Sequence, residues 1–504
     1  MQRTELIILF LLHSFIFITG KECIISEDDS KTLICSDNQY ITSNLTYYLS
    51  TFSNITQLSI MHSYLTAMPD LYNNSQVITL HLDNNHIELI TENYSSIEYL
   101  YLTSNHIYTL HQTNLHYPKL KLLDLSYNPI EHIIQNFFTE QQFPQLKILK
   151  LTNALKYINP YILDNRLISF SPLKYLNEIY FDENDLEEFS CSKTPTYIQW
   201  NLPINLEKIS LAKNKLISFD TNCFLQISNI TELDLHSNLL KNFSNSTLTL
   251  PHLSKLRLDH NLFTNIPSNL LYLSKQLNEL DLSANPLKLK EIKPRKQYVF
   301  PSSLKILYLN FTTSDLSCLL FENLIELEQL HLVNLTTTKL KNCIFKKLTK
   351  LKTLNLSNHH LKTIDEQVFR PLLSRKQLDK LDITSHFLYC NSCSLRWLNE
   401  FLKSQNTTQV NCLDQQNKQI LLNTLDVSPC RSSYGIFITT VLVLFSTVFL
   451  LCIILLFYTC RHRKLRFSNF QPVYHMVPLQ HYEDRIYQNT TEDMTNDNVM
   501  LVTW

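Results

Sequence analysis

Between residues 55 and 389 the chain repeats one pattern of apolar and polar positions. An aliphatic residue stands at positions 1, 4 and 6 of the unit, Asn usually at 9, and Leu or Ile at 11. Examples are Leu120-Lys-Leu-Leu123-Asp-Leu125-Ser-Tyr-Asn128-Pro-Ile130 and Leu206-Glu-Lys-Ile209-Ser-Leu211-Ala-Lys-Asn214-Lys-Leu216. Fourteen units begin at Ile55, Val77, Ile97, Leu120, Leu146, Leu176, Leu206, Ile230, Leu253, Leu277, Leu304, Leu327, Leu351 and Leu378. Their mean spacing is about 25 residues. Apolar residues two apart place both side chains on one face of a short strand, while positions 3, 5 and 7 point the other way. One unit cannot bury its own apolar side, so the units are expected to stack into an α/β repeat solenoid. A parallel sheet then lines its inner curve, over one continuous core.

Position 9 turns the chain, and Asn85, Asn105, Asn128, Asn184, Asn214, Asn238, Asn261 and Asn285 occupy it. A side-chain amide there bonds buried backbone groups that lack ladder partners. Asn also tolerates turn conformations that otherwise call for Gly. From Leu304 onward the pattern loosens: Thr312, Leu335, His359 and His386 stand at position 9, and Asn334 and Asn358 sit one place early. Less regular turns are expected there.

Two apolar runs flank the array. Leu6 to Ile18, followed by Thr19 and Gly20, reads as a signal peptide spanning residues 1–20. Residues 435–458 carry no charge, and as a helix they reach about 36 Å, against a hydrocarbon core of roughly 30 Å. Arg461, His462, Arg463, Lys464 and Arg466 follow directly, which assigns residues 459–504 to a cytoplasmic tail. The expectation is a type I single-pass protein of the plasma membrane, with its N-terminus extracellular.

Composition narrows the chemistry. The chain has two glycines, Gly20 and Gly435, where average usage near 7% would give roughly 35. No phosphate-cradling loop, dinucleotide fingerprint or hydrolase elbow can be written with them, and no metal-binding His-Glu-x-x-His helix is present. An enzyme is not expected, nor a cofactor or metal. A balance of 44 basic against 45 acidic residues gives no general attraction to nucleic acid.

Ten of the twelve cysteines precede the membrane run, an even number, so a disulfide framework in an oxidising compartment is expected. Cys191 and Cys223 fall at nearly the same phase of consecutive units, as do Cys318 and Cys343, so stacking brings each pair together. Cys23 and Cys35 bracket a polar segment in the N-terminal cap, residues 21–54, and close a hairpin over the first core layer. The string Cys390-Asn-Ser-Cys393-Ser-Leu-Arg-Trp397-Leu398, with Cys412 and Cys430 after it, resembles the C-terminal cap of extracellular leucine-rich repeat proteins. That resemblance implies Cys390 paired with Cys412 and Cys393 with Cys430 in a cap over residues 390–430. The family usually has one residue between its first two cysteines, and here there are two. The layout of caps, repeats and membrane helix is similar to Toll-like receptor ectodomains, which implies a curved horseshoe. Only 44 residues follow Cys460, too few for the cytoplasmic Toll/interleukin receptor homology domain of those receptors.

Asn44, Asn54, Asn73, Asn93, Asn229, Asn242, Asn245, Asn310, Asn334, Asn355 and Asn406 each begin a glycosylation sequon. Asn310, Asn334 and Asn355 sit at positions 7, 8 and 5 of three consecutive units, so sugars there would shield the inner face of the C-terminal third. The strand positions from Thr79 to Ser283 carry none. Within that open stretch, position 3 runs Thr79, Tyr99, Leu122 and Ile148 through adjacent units, with Tyr101 at position 5. An apolar and aromatic patch facing water marks a candidate ligand site at Tyr99, Tyr101, Leu122 and Ile148. Farther along, Glu178, Asp182, Lys208, Glu232, Asp234, Lys255, Arg257, Asp259, Glu279 and Asp281 form a mixed charged band, which reads as a solvated face. His81, His236 and His331 share the same face and offer pH dependence.

In the tail, Tyr474-His-Met-Val477 resembles an endocytic adaptor motif and Tyr487-Gln-Asn489 a phosphotyrosine docking site. The expected function is a membrane-embedded receptor or adhesion protein binding an extracellular protein or glycan, with a homo- or hetero-dimer as a candidate assembly. The alternative is a co-receptor signalling through an associated membrane partner or through tail phosphotyrosine.

Overall fold

A computed structural model describes residues 23–26, 28–36, 45, 49–51, 54–71, 76–158, 167–191, 198–243, 250–267, 271, 274–289, 299–362, 364–373, 378–384, 395–404, 411–414, 416, 418–422 and 433–464. The chain divides into two units, Met1–Cys430 and Arg431–Trp504.

The first unit is built on one sixteen-stranded sheet whose strands follow chain order. β1 (Ile24–Ile25) pairs antiparallel with β2 (Thr32–Ser36), which runs parallel to β3 (Gln57–Met61). Each later repeat adds one parallel strand: β4 (Thr79–His81), β5 (Tyr99–Tyr101), β6 (Leu122–Asp124), β7 (Ile148–Lys150) and β8 (Glu178–Tyr180). The sheet continues through β9 (Lys208–Ser210), β10 (Glu232–Asp234), β11 (Lys255–Arg257) and β12 (Glu279–Asp281). It closes with β13 (Ile306–Tyr308), β14 (Gln329–His331), β15 (Thr353–Asn355) and β16 (Lys380–Asp382). All fourteen units thus supply a strand at the same phase.

The register explains why. Leu80 pairs with Leu100, Leu100 with Leu123, Leu123 with Leu149, and Leu149 with Ile179, so position 4 forms one buried column. Position 6 is buried beside it, at Leu82, Leu102, Leu125 and Leu151. Each such side chain removed from water contributes about 2 kcal/mol, and only a neighbouring unit can cover it.

The amide ladder holds the turns. Asn105 Nδ2 donates to the Leu82 carbonyl of the preceding unit at 2.9 Å and to its own Leu102 carbonyl at 3.1 Å, while its Oδ1 accepts from Ile87 N at 3.0 Å. Asn214 repeats this with the Phe181 and Leu211 carbonyls, both at 2.9 Å, and accepts from the Asn184 and Leu186 amides. All eight ladder asparagines are buried.

The left-handed conformation, however, does not belong to them. Positive φ recurs at position 8, one residue earlier, in Asn84, Ser104, Tyr127, Asn153, Glu183, Lys213, Ser237, His260 and Ala284. The Asn side chain acts as a clamp that over-determines the turn, so the preceding residue takes the strained conformation whatever its type. The same conformation recurs thirteen times at one phase, His62 to Asn358, and an asparagine clamp follows it in eight of them. The described turns after Leu304 are also as regular as the rest, contrary to the expectation from their sequence: Phe311, Asn334 and Asn358 keep φ values of 57°, 58° and 56°, while His386 lies outside the described residues. Asn334 and Asn358 supply the residue type best suited to that conformation. At position 9, Thr312 Oγ1 donates to the Leu309 carbonyl, and His359 Nδ1 accepts from Leu361 N at 3.1 Å.

The return segments carry short parallel ladders, such as Leu167–Ser169 with Gln199–Asn201 and Glu188–Phe189 with Ser218–Phe219. Behind them runs a spine of touching rings from Tyr94 through Tyr117, Phe143, Phe138, Phe170 and Phe181 to Trp200. It continues through Phe189, Phe219 and Phe243 to Phe263, with centroids 4.8–6.1 Å apart from Phe181 onward. Helices α1 (Glu366–Leu373) and α2 (Arg396–Ser404) lie toward the end of this unit.

Cys23–Cys35, Cys191–Cys223 and Cys318–Cys343 are disulfides with Cα separations of 4.1, 5.0 and 5.5 Å. Cys412 is disulfide-bonded and buried, whereas Cys390, Cys393 and Cys430 lie outside the described residues. The second unit contains α3 (Ser433–Lys464), of which Ile438–Thr459 is long and apolar enough to cross a membrane. Residues 1–20 and the tail tyrosines Tyr474 and Tyr487, with Val477 and Asn489, lie outside the described residues.

Candidate ligand-binding face

Because positions 4 and 6 are spent on the core, positions 3, 5 and 7 of every strand form the sheet's open face. Backbone register sets their neighbours. Thr79, Tyr99, Leu122, Ile148 and Glu178 pair successively in one row, and Ser59, His81, Tyr101, Asp124, Lys150 and Tyr180 in the next. Three adjacent strands, β5 to β7, thus bring the candidate residues Tyr99, Tyr101, Leu122 and Ile148 into one patch.

Within it the exposures differ. Tyr99, Tyr101 and Ile148 are half-buried and reach solvent, but Leu122 is only 8% exposed. Its row neighbours Tyr99 and Ile148 stand about 5 Å away on either side and flank it. Leu122 therefore supports the patch from below. Tyr101 stacks on the His81 ring at 4.3 Å and 6°, and His81 Nδ1 lies 3.4 Å from Asp83. Burial and the nearby carboxylates of Asp124 and Asp83 push the Tyr101 hydroxyl's pKa up, so it stays a neutral donor.

The charged band occupies β8 to β12. Position 3 alternates in sign, with Lys208 to Glu232 at 3.2 Å and Lys255 to Glu279 at 3.0 Å. In the next row Arg257 reaches Asp234 at 3.1 Å and Asp259 at 3.3 Å, and His236 Nδ1 stands 2.7 Å from Asp234. Burial raises the Asp234 pKa, but the bonds from His236 and the Arg257 charge outweigh it and hold that carboxyl below its usual range. Burial wins at Asp182 and Asp281 and pushes both upward. A recess of about 300 Å³ opens across this band, walled by Tyr180, Asp182, Lys208, Glu232, His236 and Arg257. Charge periodicity shows in the sequence; the recess does not.

Toward the last strands Tyr308 and His331 stack at 4.5 Å, and burial lowers the His331 pKa. Asn355 lies on the open face in β15, its Oδ1 accepting from Ser357 N at 2.9 Å. Asn310 Oδ1 accepts from Val333 N at 2.9 Å. Asn54, Asn93, Asn229 and Asn242 are exposed, Asn334 is half-buried, and Asn44, Asn73, Asn245 and Asn406 lie outside the described residues. Among the described residues, no three His, Cys, Asp or Glu side chains gather as a metal-holding group.

No family model matches the chain. Over 253 residues it is 28% identical to the transforming growth factor beta activator LRRC33 of Danio rerio, covering 45% of this chain and 35% of that protein. Chaoptin of Drosophila melanogaster is 30% identical over 191 residues, 36% of this chain and 13% of chaoptin. Osteomodulin of Mus musculus is 29% identical over 163 residues, 31% of this chain and 35% of osteomodulin. The chain thus spans at most 35% of the length of these relatives. Among solved structures, the Drosophila Toll–Spatzle complex aligns with 71% of this chain and 54% of that chain, at 18% identity and a TM-score of 0.47. A leucine-rich repeat protein of Leptospira interrogans covers 70% of this chain and 89% of its own, at 20% identity and a TM-score of 0.47.

Proposed function

We propose that this chain, a leucine-rich repeat protein, is a type I single-pass cell-surface protein that captures an extracellular macromolecule on the open face of its sheet and performs no catalysis. One observation carries the reading: Tyr99 and Tyr101 from β5 and Ile148 from β7, on either side of Leu122 in β6, form a half-exposed aromatic and apolar patch on a sheet face that no other part of the described chain is seen to pair with. Aromatic side chains with little rotamer freedom are the residues interfaces concentrate on. The apolar span Ile438–Thr459 and the basic residues after it support membrane anchoring with the repeats outside. Similarity to a growth-factor activator supports a protein as the ligand rather than a lipid.

In this reading sugars on Asn310, Asn334 and Asn355 shield the far strands and leave β4 to β12 open. Tyr474-x-x-Val477 serves an endocytic adaptor. The cap pairs Cys390 with Cys412 and Cys393 with Cys430. The test is a full-length variant carrying Tyr99→Ala and Tyr101→Ala, displayed on cells beside the wild type. Proximity labelling of extracellular proteins should lose its reproducible partner in the variant at equal surface level. Retention of the same partner would remove the site.

A further inference from the structure

The charged band next to the aromatic patch has a charge surplus that its internal pairs do not absorb. Positions 3, 5 and 7 of the five units that supply β8 to β12 carry seven carboxylates against three cations, a formal charge of −4. The entire 504-residue chain carries only −1. The three cations are committed within the face, Lys208 to Glu232, Lys255 to Glu279 and Arg257 to Asp234 and Asp259. Among the described residues, neither Asp182 nor Asp281 has a cation within salt-bridge reach. Asp182 accepts from Ser210 Oγ and from Ala212 N, and Asp281 from Ser283 N at 2.9 Å. Asp182 also forms part of the wall of the 300 Å³ recess.

Resting on the reading that the open face binds a macromolecule, we infer that β8 to β12 receive an extended basic segment of a protein ligand, one cation against Asp182 in the recess and a second against Asp281. Charge complementarity selects the occupant. Nucleic acid and acidic glycans are repelled by the surplus, whereas a lysine or arginine adds a direct ion pair to a carboxylate that Arg257 or His236 influences only from a distance. Geometry sets the spacing. From β8 to β12 there are four strand intervals of about 4.8 Å, so the two carboxylates stand roughly 20 Å apart. An extended chain advances about 3.3 Å per residue, so the two basic residues are about six positions apart. The aromatic patch adjoins this band in register, Ile148 beside Glu178. The ligand segment is therefore apolar at one end and basic at the other.

The experiment uses the full-length protein in lipid nanodiscs and fluorescent neutral peptides carrying two lysines, either six or two residues apart. The six-residue spacing should bind roughly tenfold tighter at low salt, lose that advantage in 0.5 M salt, and lose it in a variant with Asp182→Asn and Asp281→Asn. Both amides keep an acceptor for the local N–H donors, so the fold is retained, as a melting curve would verify. A second variant, Glu322→Gln with Glu366→Gln, removes two exposed carboxylates elsewhere and should leave the spacing preference intact. Equal binding of the two spacings, no binding of either, or a preference that survives the Asp182/Asp281 variant would overturn the inference. The Tyr99/Tyr101 variant separates the two readings: partner capture lost there but retained in the Asp182/Asp281 variant removes the basic segment alone.

Discussion

His359 stands where other units carry a ladder asparagine, and that exchange makes the late repeats sensitive to acid. The ring is fully buried, at 0% exposure. Its Nδ1 accepts from Leu361 N at 3.1 Å, so the neutral ring carries its proton on Nε2, and it has a further backbone hydrogen bond at Ile383. Burial holds its pKa down from 6.5 to about 4. Between these values the unfolded chain binds the proton that the folded chain rejects. Stability therefore rises with pH, is complete above 6.5 and is lost as pH falls toward 4. A shift of this size corresponds to about 3 kcal/mol in full. About 2 kcal/mol of it disappears between pH 7.5 and 5.0. Protonation would also take the acceptor from the Leu361 amide. The assay is hydrogen exchange of the full-length protein at both pH values, corrected for intrinsic rates, beside His359→Asn, which installs the ladder residue. Protection at the Leu356 and Leu361 amides should fall roughly thirtyfold in the wild type. In the variant it should fall far less, the residual part coming from His331, whose pKa burial also lowers. An equal acid loss in both proteins would refute the assignment.

Other perturbations test the frame. Asn214→Ala should cost about 3 kcal/mol and raise exchange at the Asn184 and Leu186 amides, because it orphans buried groups on both sides. Ser237, at φ 55°, should accept Gly with little change in urea midpoint, while Ser237→Val loses about 1–2 kcal/mol. Trp200→Ala, at 1% exposure between Phe181 and Phe189, should cost about 4 kcal/mol by denaturant unfolding.

Much of the architecture follows from local pattern. A period near 25 residues with aliphatic positions 1, 4 and 6 specifies a strand and the face it must bury, so the strand of every unit is legible before any coordinates. Equal phase brings Cys191 to Cys223 and Cys318 to Cys343, since stacking is translation by one unit. The apolar helix is legible for the same reason, being a property of consecutive residues.

What needed the tertiary structure are properties of neighbours distant in sequence. Leu122 matches Tyr99 and Ile148 in pattern, yet its exposure depends on the side chains that flank it one strand away. The left-handed residue at position 8 recurs with side chains as different as Ser104, Tyr127, Lys213 and Ala284, each followed by an amide clamp that bonds the unit before it, so residue type at that site says little. Phe and Trp residues at irregular offsets line up into one spine only after units of unequal length have stacked. Charges at Asp182 and Asp281 are 99 residues apart along the chain but four strands apart in space. Periodic burial is encoded residue by residue, whereas shading, clamping and charge surplus arise between units and exist only once the stack is formed.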